Sequence, residues 1–148
     1  MFRCPSCGAL NRVPLPVPSG RPGCGRCHGA LDTSGRPQEV SSEALSRAVV
    51  SSPVPVLLDV WAPWCAPCQA AAPAVEAVGQ AQAGRVIVLK LNTEEHPDAA
   101  SSLGVRGIPT FVLYSGGREV ARRSGLMQRA ELERWLMEAQ GDSGGISA

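Results

Sequence analysis

The sequence predicts an α/β fold in which helices cover both faces of a mixed sheet, preceded by a small head held by a metal. After residue 40, apolar segments of strand length alternate with segments of helical periodicity, and a glycine turn separates two strand-like runs. The segment before residue 32 instead carries four paired cysteines. The charges follow the same division. Residues 1–36 hold five basic side chains and one acidic side chain, whereas residues 37–148 hold nine basic and twelve acidic side chains. We therefore expect two units.

Two Cys-x-x-Cys pairs, separated by sixteen residues, define the head as residues 1–31. The four thiols belong to Cys4, Cys7, Cys24 and Cys27. This spacing is typical of a zinc site in which each pair supplies two thiolates from a tight turn and no coordination position stays open. A bound iron ion and two disulfides are the alternatives. We expect one structural zinc ion, with His28 as a surface residue beside a complete set of ligands.

The head contains an imperfect internal repeat, because the first Cys-x-x-Cys is followed by Gly-Ala-Leu and the second by His-Gly-Ala-Leu. Gly8 and Gly25 are expected to give the two turns their backbone freedom. The prolines of residues 13–20 exclude a helix between the two halves. So small a segment cannot build an adequate core, and a metal has to hold it together. Residues 32–39 are expected to form a linker or a first short strand.

The body is predicted to fold as α-β-α-β-α-β-β-α between residues 40 and 140. In its first helix Leu45, Ala48 and Val49 share one face, and Ser41 or Ser42 can cap the start. Glycines within residues 115–117 predict a hairpin turn. The expected strands are 54–61, 85–91, 110–114 and 118–122, and the expected later helices are about 65–83, 98–103 and 130–140. Residues 141–148 are expected to form a disordered tail.

The pattern Cys65-Ala-Pro-Cys68 directly follows the first body strand and opens the long helix. Unpaired N–H groups and the helix dipole favour an anion there, which lowers the pKa of Cys65 below that of a free thiol. Cys68 lies one turn further along the helix, close enough for a disulfide. An exposed Cys65 thiolate would attack a substrate disulfide, and Cys68 would resolve the mixed disulfide. A structural disulfide and half of a metal site are the alternatives.

Residues 58–68, Leu-Asp-Val-Trp-Ala-Pro-Trp-Cys-Ala-Pro-Cys, resemble the active-site segment of thioredoxins. Further similarities are Pro73 in the helix, Lys-Leu-Asn at residues 90–92, Gly-Ile-Pro-Thr-Phe at residues 107–111, and Gly125. The resemblance covers about residues 38–140 and implies a thioredoxin fold for residues 40–140. With the four-cysteine head included, the whole chain is similar to the bacterial thioredoxins that carry a zinc ribbon.

The resemblance implies roles for several further residues. Asp59 would be buried with a raised pKa and accept the proton of Cys68, whereas the alternative is a solvent-facing strand end. Lys90 could pair with Asp59 or remain a solvated charge. Pro109 would follow a cis peptide bond, which leaves the backbone groups of Ile108 free to pair with an extended substrate. The implied apolar rim for that substrate consists of Trp64, Val105, Ile108 and Gly125.

Two departures from the thioredoxin pattern bear on the redox chemistry. Ala66 stands where glycine is commonest, which stiffens the loop and shifts the potential only modestly. Gln69 stands where a basic residue often follows, and the missing positive charge raises the pKa of the thiols slightly. The sequence has no histidine between the cysteines, unlike the strongly oxidising relatives. We therefore expect a protein-disulfide reductase that is recharged by an NADPH-dependent thioredoxin reductase.

Three other functions are the alternatives: a disulfide oxidase or isomerase, a redox-sensing zinc-ribbon chaperone, and a nucleic-acid-binding module. The net charge of +1 and the lack of an aromatic platform beyond Phe2 argue against nucleic acid. Because the sequence has no Gly-rich phosphate loop, we expect no organic cofactor on this chain. No secretory signal or membrane span is apparent, which predicts a cytoplasmic protein whose partners are disulfide-containing proteins. The sequence leaves open whether the head faces the redox centre.

Overall fold

The computed structural model describes residues 1–145 of the chain, with side chains through residue 141. The strands are β1 (Phe2–Arg3), β2 (Leu10–Asn11), β3 (Gln38–Glu39), β4 (Val56–Trp61), β5 (Ile87–Asn92), β6 (Thr110–Ser115) and β7 (Arg118–Ser124). The helices are α1 (Ser42–Ser51), α2 (Ala66–Ala81), α3 (Pro97–Ser102) and α4 (Arg129–Gly145). Among these helices, none combines the length and the apolar character needed to cross a membrane.

One mixed sheet forms the centre of the body, with the strand order β3-β5-β4-β6-β7. Strands β3, β5 and β4 are parallel, whereas β6 and β7 run antiparallel to their neighbours. Parallel neighbours need a crossover connection, which α2 provides between β4 and β5. The prediction of an α/β fold with a mixed sheet and helices on both faces is confirmed.

Residues 32–39 contain a first short strand, one of the two expectations for that segment, and the structure departs from the predicted bounds at the other end of the body. Residues 38–39 form a short parallel strand at the edge of the sheet, beside β5. At the other end α4 continues to Gly145, so that residues 141–145 of the expected tail are helical. The buried face of α4, which includes Leu132 and Leu136, holds this helix on the sheet, and no proline follows to end it. Residues 146–148 of the expected tail lie outside the described residues.

Side-chain alternation along β4 assigns each face of the sheet its own core. Leu58 and Val60 are fully buried in the cluster that includes residues of α1 and α3. Leu57 is fully buried in the cluster on the other face, which includes residues of α2 and α4. Asp59 shares the face of Leu57, because successive side chains of a strand point to opposite sides. Asp59 therefore lies on the side of the sheet that α2 covers.

The head repeats one local structure twice, as its sequence suggests. In the first turn, Cys4 N donates to Ala9 O at 2.8 Å, and Gly8 N donates to Cys4 O at 2.9 Å. In the second turn, the amides of residues 24 and 28 make the equivalent bonds at 2.8 and 2.9 Å. Gly8 and His28 have positive φ values of 78° and 65°. The role expected for Gly25 is therefore wrong: the repeat places His28, and not Gly25, opposite Gly8.

The head packs against the end of α2 that is farthest from the cysteine pair of the body. Ala83, just past the end of α2, contacts the small core of the head. That core consists of Phe2, Cys4, Val13, Cys24 and Leu31. The side chains of Phe2 and Leu15 come so close to Gly84 that a Cβ there would lie 3.0 and 2.9 Å from them. Because the sixteen residues of α2 span about 24 Å, the head lies far from the redox pair.

A contact between two glycines joins the segment after the head to helix α2. Gly35 has a φ of +82°, and the space for its Cβ is taken by the backbone carbonyl of Gly79 in α2. A Cβ on Gly79 would in turn collide with the carbonyl oxygen of Gly35. Only a pair of glycines allows the two backbones to approach this closely.

We expect Gly79→Ala to destabilise the protein by about 1–3 kcal/mol, because the added methyl group overpacks a contact between two backbones. The gain in helix propensity, about 1 kcal/mol for this exchange, opposes the loss and does not cancel it. Urea unfolding followed by circular dichroism measures the change. Gly141→Ala is the matched control, since Gly141 is also helical and has open space around its Cβ position. Equal stability changes in the two variants would contradict the prediction.

Candidate redox site and metal site

Cys65 is the N-cap of α2, and Cys68 lies within the first turn of that helix. The two sulfurs form a disulfide, with 5.2 Å between the Cα atoms. Cys68 N donates to Cys65 Sγ at 3.2 Å, so a helix N–H group that has no intrahelical partner is directed at this sulfur. Such a bond favours the thiolate form when the disulfide is reduced. Pro67 lies at the start of the helix, where its missing N–H costs nothing.

Both residues of the redox pair are buried, although the sequence analysis expected an exposed Cys65. Cys65 is 4% exposed and Cys68 is 3% exposed in this disulfide form, so the expectation of an exposed Cys65 is wrong here. They pack with Ala62, Trp61 and Ile108 in one apolar cluster. Local packing against the loop before β6 therefore covers the pair.

The loop before β6 lies beside the cysteine pair. The Ile108–Pro109 peptide bond is cis, as the resemblance implied. The carbonyl oxygen of Ile108 lies 3.8 Å from Cys65 Sγ. Gly125 has a φ of +103° and donates its N–H to Pro109 O at 2.8 Å. This bond brings the start of the connection between β7 and α4 to the same loop.

The remaining residues of the expected rim differ in their surroundings. The side chain of Trp64 is 70% exposed next to the disulfide, which is unusual for so large an apolar group. Val105 is partly buried and packs against the core cluster on the α1 side of the sheet. Of the four residues of the expected rim, Ile108 packs in the apolar cluster of the redox pair.

Asp59 is a buried carboxyl on the α2 side of the sheet. It is 1% exposed, and its Oδ1 atom has no hydrogen-bond partner among the described residues. Its neighbours in the adjacent strands are Lys90 and Phe111. Burial raises the pKa of Asp59 to about 7, although the charge of Lys90 acts to lower it and that of Glu39 to raise it further. A carboxyl with this pKa can take up and release a proton near neutral pH.

Lys90 does not form the ion pair with Asp59 that the resemblance allowed, within the part of the chain that the structure describes. Its ammonium group instead lies 4.2 Å from the centre of the Trp61 ring. A cation over the face of an indole ring is held by the ring quadrupole. Lys90 therefore acts on Asp59 through the field of its charge and not through a direct bond.

We expect Asp59→Asn to stabilise the protein at pH 8 and to have little effect near pH 4. The pKa of Asp59 is raised from 3.8 to about 7 in the folded state, so the folded chain holds a proton that the unfolded chain has released. The contribution of Asp59 to the stability of the natural protein therefore falls as the pH rises from about 4 to about 7, by roughly 4 kcal/mol. The amide of the variant carries no charge, so the stability of the variant does not fall for this reason between pH 4 and pH 7. Denaturant unfolding at both pH values measures the difference, and a stabilisation that does not depend on pH would contradict the prediction.

Sequence reasoning missed a clamp on the loop that leads to the redox site. The guanidinium of Arg122 in β7 donates to Leu103 O at 2.7 Å and to Gly104 O at 3.3 Å. Glu119 holds the same guanidinium through two further bonds of 2.8 and 2.9 Å. The clamp fixes residues 103–104 next to the hairpin, just before the segment that ends in the cis bond. In the sequence, Glu119 and Arg122 look like an ordinary surface ion pair. Such pairs are too common to indicate that Arg122 also binds the backbone of residues 103–104.

The four cysteines of the head lie together. All four Sγ atoms are within 4.8 Å of one another. The distance from Cys4 Sγ to Cys27 Sγ and that from Cys7 Sγ to Cys24 Sγ are both 3.6 Å. A tetrahedral zinc ion with bonds of about 2.3 Å requires sulfurs about 3.8 Å apart. The cluster is therefore able to hold a metal ion of that size with four thiolates.

Hydrogen-bond donors surround the cluster and act on its cysteines unequally. Arg26 N and Gly29 N donate to Cys24 Sγ and Cys27 Sγ, both at 3.4 Å. The side-chain amide of Asn11 lies 3.5 Å from Cys24 Sγ. Backbone N–H groups of Cys27 and Arg26 lower the pKa of Cys24 to about 6. The N–H of Gly29 acts to lower the pKa of Cys27 as well, but the neighbouring thiols of Cys4 and Cys7 raise it to about 11, so the donors favour the thiolate form at Cys24 first. Metal binding requires deprotonated cysteines, so this arrangement of donors suits a metal site.

Comparison with known proteins gives one consistent result. The family model for thioredoxin matches residues 36–138. Thioredoxin C-3 of Corynebacterium nephridii is 42% identical over 133 residues, which are 90% of this chain and 90% of that protein. Thioredoxin 1 of Nostoc sp. is 40% identical over 98 residues, 66% of this chain and 92% of that protein. The solved structure of a mutant thioredoxin from Halobacterium salinarum is similar with a TM-score of 0.66 and 30% sequence identity. The similar region covers 73% of this chain and 94% of the chain in that structure.

The similarity to the Corynebacterium protein is longer than residues 36–148, so it extends into the cysteine-rich head. The family model covers the sheet, the redox pair and the cis-proline loop together. The structure thus joins a thioredoxin fold to a cysteine cluster able to hold a metal ion. The chain belongs to the thioredoxin family, as a protein-disulfide reductase whose redox centre is Cys65–Cys68.

Proposed function

We propose that the protein reduces disulfide bonds of other proteins in the cytoplasm and is recharged by an NADPH-dependent thioredoxin reductase. The observation that carries this proposal is the position of Cys65, which caps α2 and lies 3.8 Å from the carbonyl oxygen of Ile108. The helix end favours the thiolate, and the adjacent loop offers backbone groups to a substrate.

The reaction proceeds through two exchanges of sulfur. In the first, the reduced Cys65 thiolate attacks one sulfur of the substrate disulfide, forms a mixed disulfide and releases the other sulfur as a thiolate. In the second, Cys68 loses its proton and attacks Cys65 Sγ, which restores the disulfide of the protein and releases the reduced substrate. The reductase then supplies two electrons, originally from NADPH, to return both cysteines to thiols.

Asp59 is proposed to receive the proton of Cys68, through an intervening water where one is needed. Its place on the α2 side of the sheet and its raised pKa support this role. Lys90 is proposed to limit the rise in that pKa, because its ammonium group lies over Trp61 on the same face. The two residues together keep the proton acceptor active near neutral pH.

The substrate is proposed to bind as an extended strand along the loop that contains Ile108 and Pro109. Neither the N–H nor the carbonyl of Ile108 takes part in a backbone hydrogen bond among the described residues. Trp64, Val105 and Gly125 would complete the rim, with the exposed Trp64 as its largest apolar contact.

The head is proposed to bind one structural zinc ion. The distances between the sulfurs and the donors around them fit a closed site of four thiolates. Such a site leaves no position for a substrate, so the ion would supply stability to the head and no catalytic step.

The experiment that tests the redox assignment is a measurement of the reduction potential of Cys65–Cys68 in the metal-bound protein. A value near the −270 mV or so of thioredoxins supports a reductant, whereas a value approaching about −120 mV supports a disulfide oxidase instead. A coupled assay with thioredoxin reductase and insulin, followed by the consumption of NADPH, tests the proposed partner. The protein could instead reduce insulin after dithiothreitol has reduced Cys65–Cys68, and yet consume no NADPH in the coupled assay. That result would reject thioredoxin reductase as the partner and leave the disulfide-reducing activity in place.

A further inference from the structure

A cleft between the head and the body collects three arginines. Arg12 follows β2, Arg26 lies in the second cysteine turn, and Arg47 belongs to α1 of the body. The cleft has a volume of about 720 Å³, which lies within the range of sites for small molecules. It is at the far side of the molecule from Cys65–Cys68, because the head packs at the end of α2 opposite that pair.

The charges of these arginines are not balanced by neighbouring carboxylates. None of the residues that line the cleft is acidic. Within the described residues, none of the three arginines forms an ion pair, whereas the guanidinium groups of Arg36 and Arg122 both do. All three side chains are exposed and free to turn toward a ligand. Three cations that face one cleft attract an anion and repel one another in its absence.

The other walls of the cleft define the kind of anion. Met1, Leu10 and Pro53 provide an apolar part, and the exposed Cys7 side of the metal cluster forms one boundary. Guanidinium groups bind phosphate oxygens through paired hydrogen bonds. The cleft lacks aromatic side chains on which successive bases could stack, and it is bounded, unlike the grooves that follow a nucleic-acid strand.

We infer that the cleft binds a small phosphate-bearing molecule of nucleotide size, with its phosphates on Arg12, Arg26 and Arg47 and its less polar part against Leu10 and Pro53. Since Arg47 belongs to the body and the other two to the head, the ligand joins the two units. Its binding therefore stabilises the docking of the head. This site is separate from the redox site and does not depend on the redox assignment.

Isothermal titration of the full-length, metal-bound protein with inorganic pyrophosphate and with ADP tests the inference. We expect saturable binding of both, tighter for ADP, and weaker at high salt because the guanidinium groups are exposed. Arg47→Gln and Arg26→Gln should each weaken binding about tenfold or more. Arg118→Gln is the control, and it should bind as the natural protein does. Arg118 is an exposed arginine on the far hairpin, and it forms no ion pair with any residue whose side chain the structure describes.

Two further readouts separate a ligand site from other reasons for the arginines. Metal content is measured before and after titration and in every variant, because a zinc tetrathiolate is itself negative and attracts arginines. Arginine variants that lose metal, together with a natural protein that binds neither probe, would show that the arginines only balance the cluster, and would overturn the inference. Binding of single-stranded DNA without saturable binding of pyrophosphate or ADP would overturn it as well. Slower hydrogen exchange of residues 1–31 in the presence of ADP would support the joining of head and body.

Discussion

Replacing Cys68 with serine is expected to stop the reaction at the mixed disulfide and to reduce turnover by about a thousandfold or more. Cys65 is the N-cap of α2 and keeps the N–H contact that favours its thiolate, so the first exchange still occurs. The second exchange needs a sulfur one helical turn away, and a serine hydroxyl cannot supply it. The covalent complex between Cys65 and its substrate therefore accumulates.

Non-reducing electrophoresis and mass spectrometry of Cys68→Ser incubated with a disulfide substrate measure this complex. Cys65→Ser is the matched control, since it loses turnover to the same extent and forms no covalent complex at the start of the helix. Trapping by Cys65→Ser in place of Cys68→Ser would reverse the two assigned roles. Dithiothreitol should release the trapped substrate from Cys68→Ser.

Removal of the metal ion proposed for the head is expected to unfold the head and to leave the body folded. The core of the head has only five buried residues, two of which are the ligands Cys4 and Cys24. Metal binding by such sites contributes about 10–16 kcal/mol, far more than so small a core can provide. The body has two separate cores of its own, on the two faces of its sheet, which do not depend on the ligands.

Hydrogen exchange with and without a chelator measures the effect, as does exchange in Cys24→Ser. We expect the amides of residues 1–31 to lose protection, while those of β4 and β6 keep theirs and disulfide reduction continues. Ser6→Ala is the matched control, because Ser6 is an exposed residue in the same turn as Cys4 and contributes no ligand atom. A head that stays protected after complete loss of metal would contradict the prediction.

Most of the body could be predicted because its signals are local. Helical and strand periodicities, the glycine turn and the position of Cys65–Cys68 after an apolar strand all lie within short segments. The burial of Asp59 follows from a strand covered on both faces, and the structure agrees. The spacing of the head cysteines likewise indicated that they would meet, since two tight pairs can close on one ion.

The features that could not be predicted depend on tertiary contacts. The position of Lys90 over Trp61 is set by strand register and by the packing of an indole ring, and neither leaves a mark in the spacing of residues. The approach of Gly35 to Gly79 joins residues far apart in the chain. The left-handed backbone of His28 is different, because alignment of the two cysteine turns would have placed it opposite Gly8.

The distance between the head and the redox pair limits the sulfurs with which Cys65 can exchange. Six cysteines in one chain permit many incorrect pairings, and a reactive thiolate can attack any disulfide sulfur that it reaches. Here the head lies at the far end of α2 from Cys65, with a rigid helix between them. Once the body has folded, Cys65 cannot reach the sulfurs of its own head. In the folded chain, Cys65 can therefore exchange with Cys68 and with sulfurs of other molecules, and the cysteines of its own head stay out of that exchange.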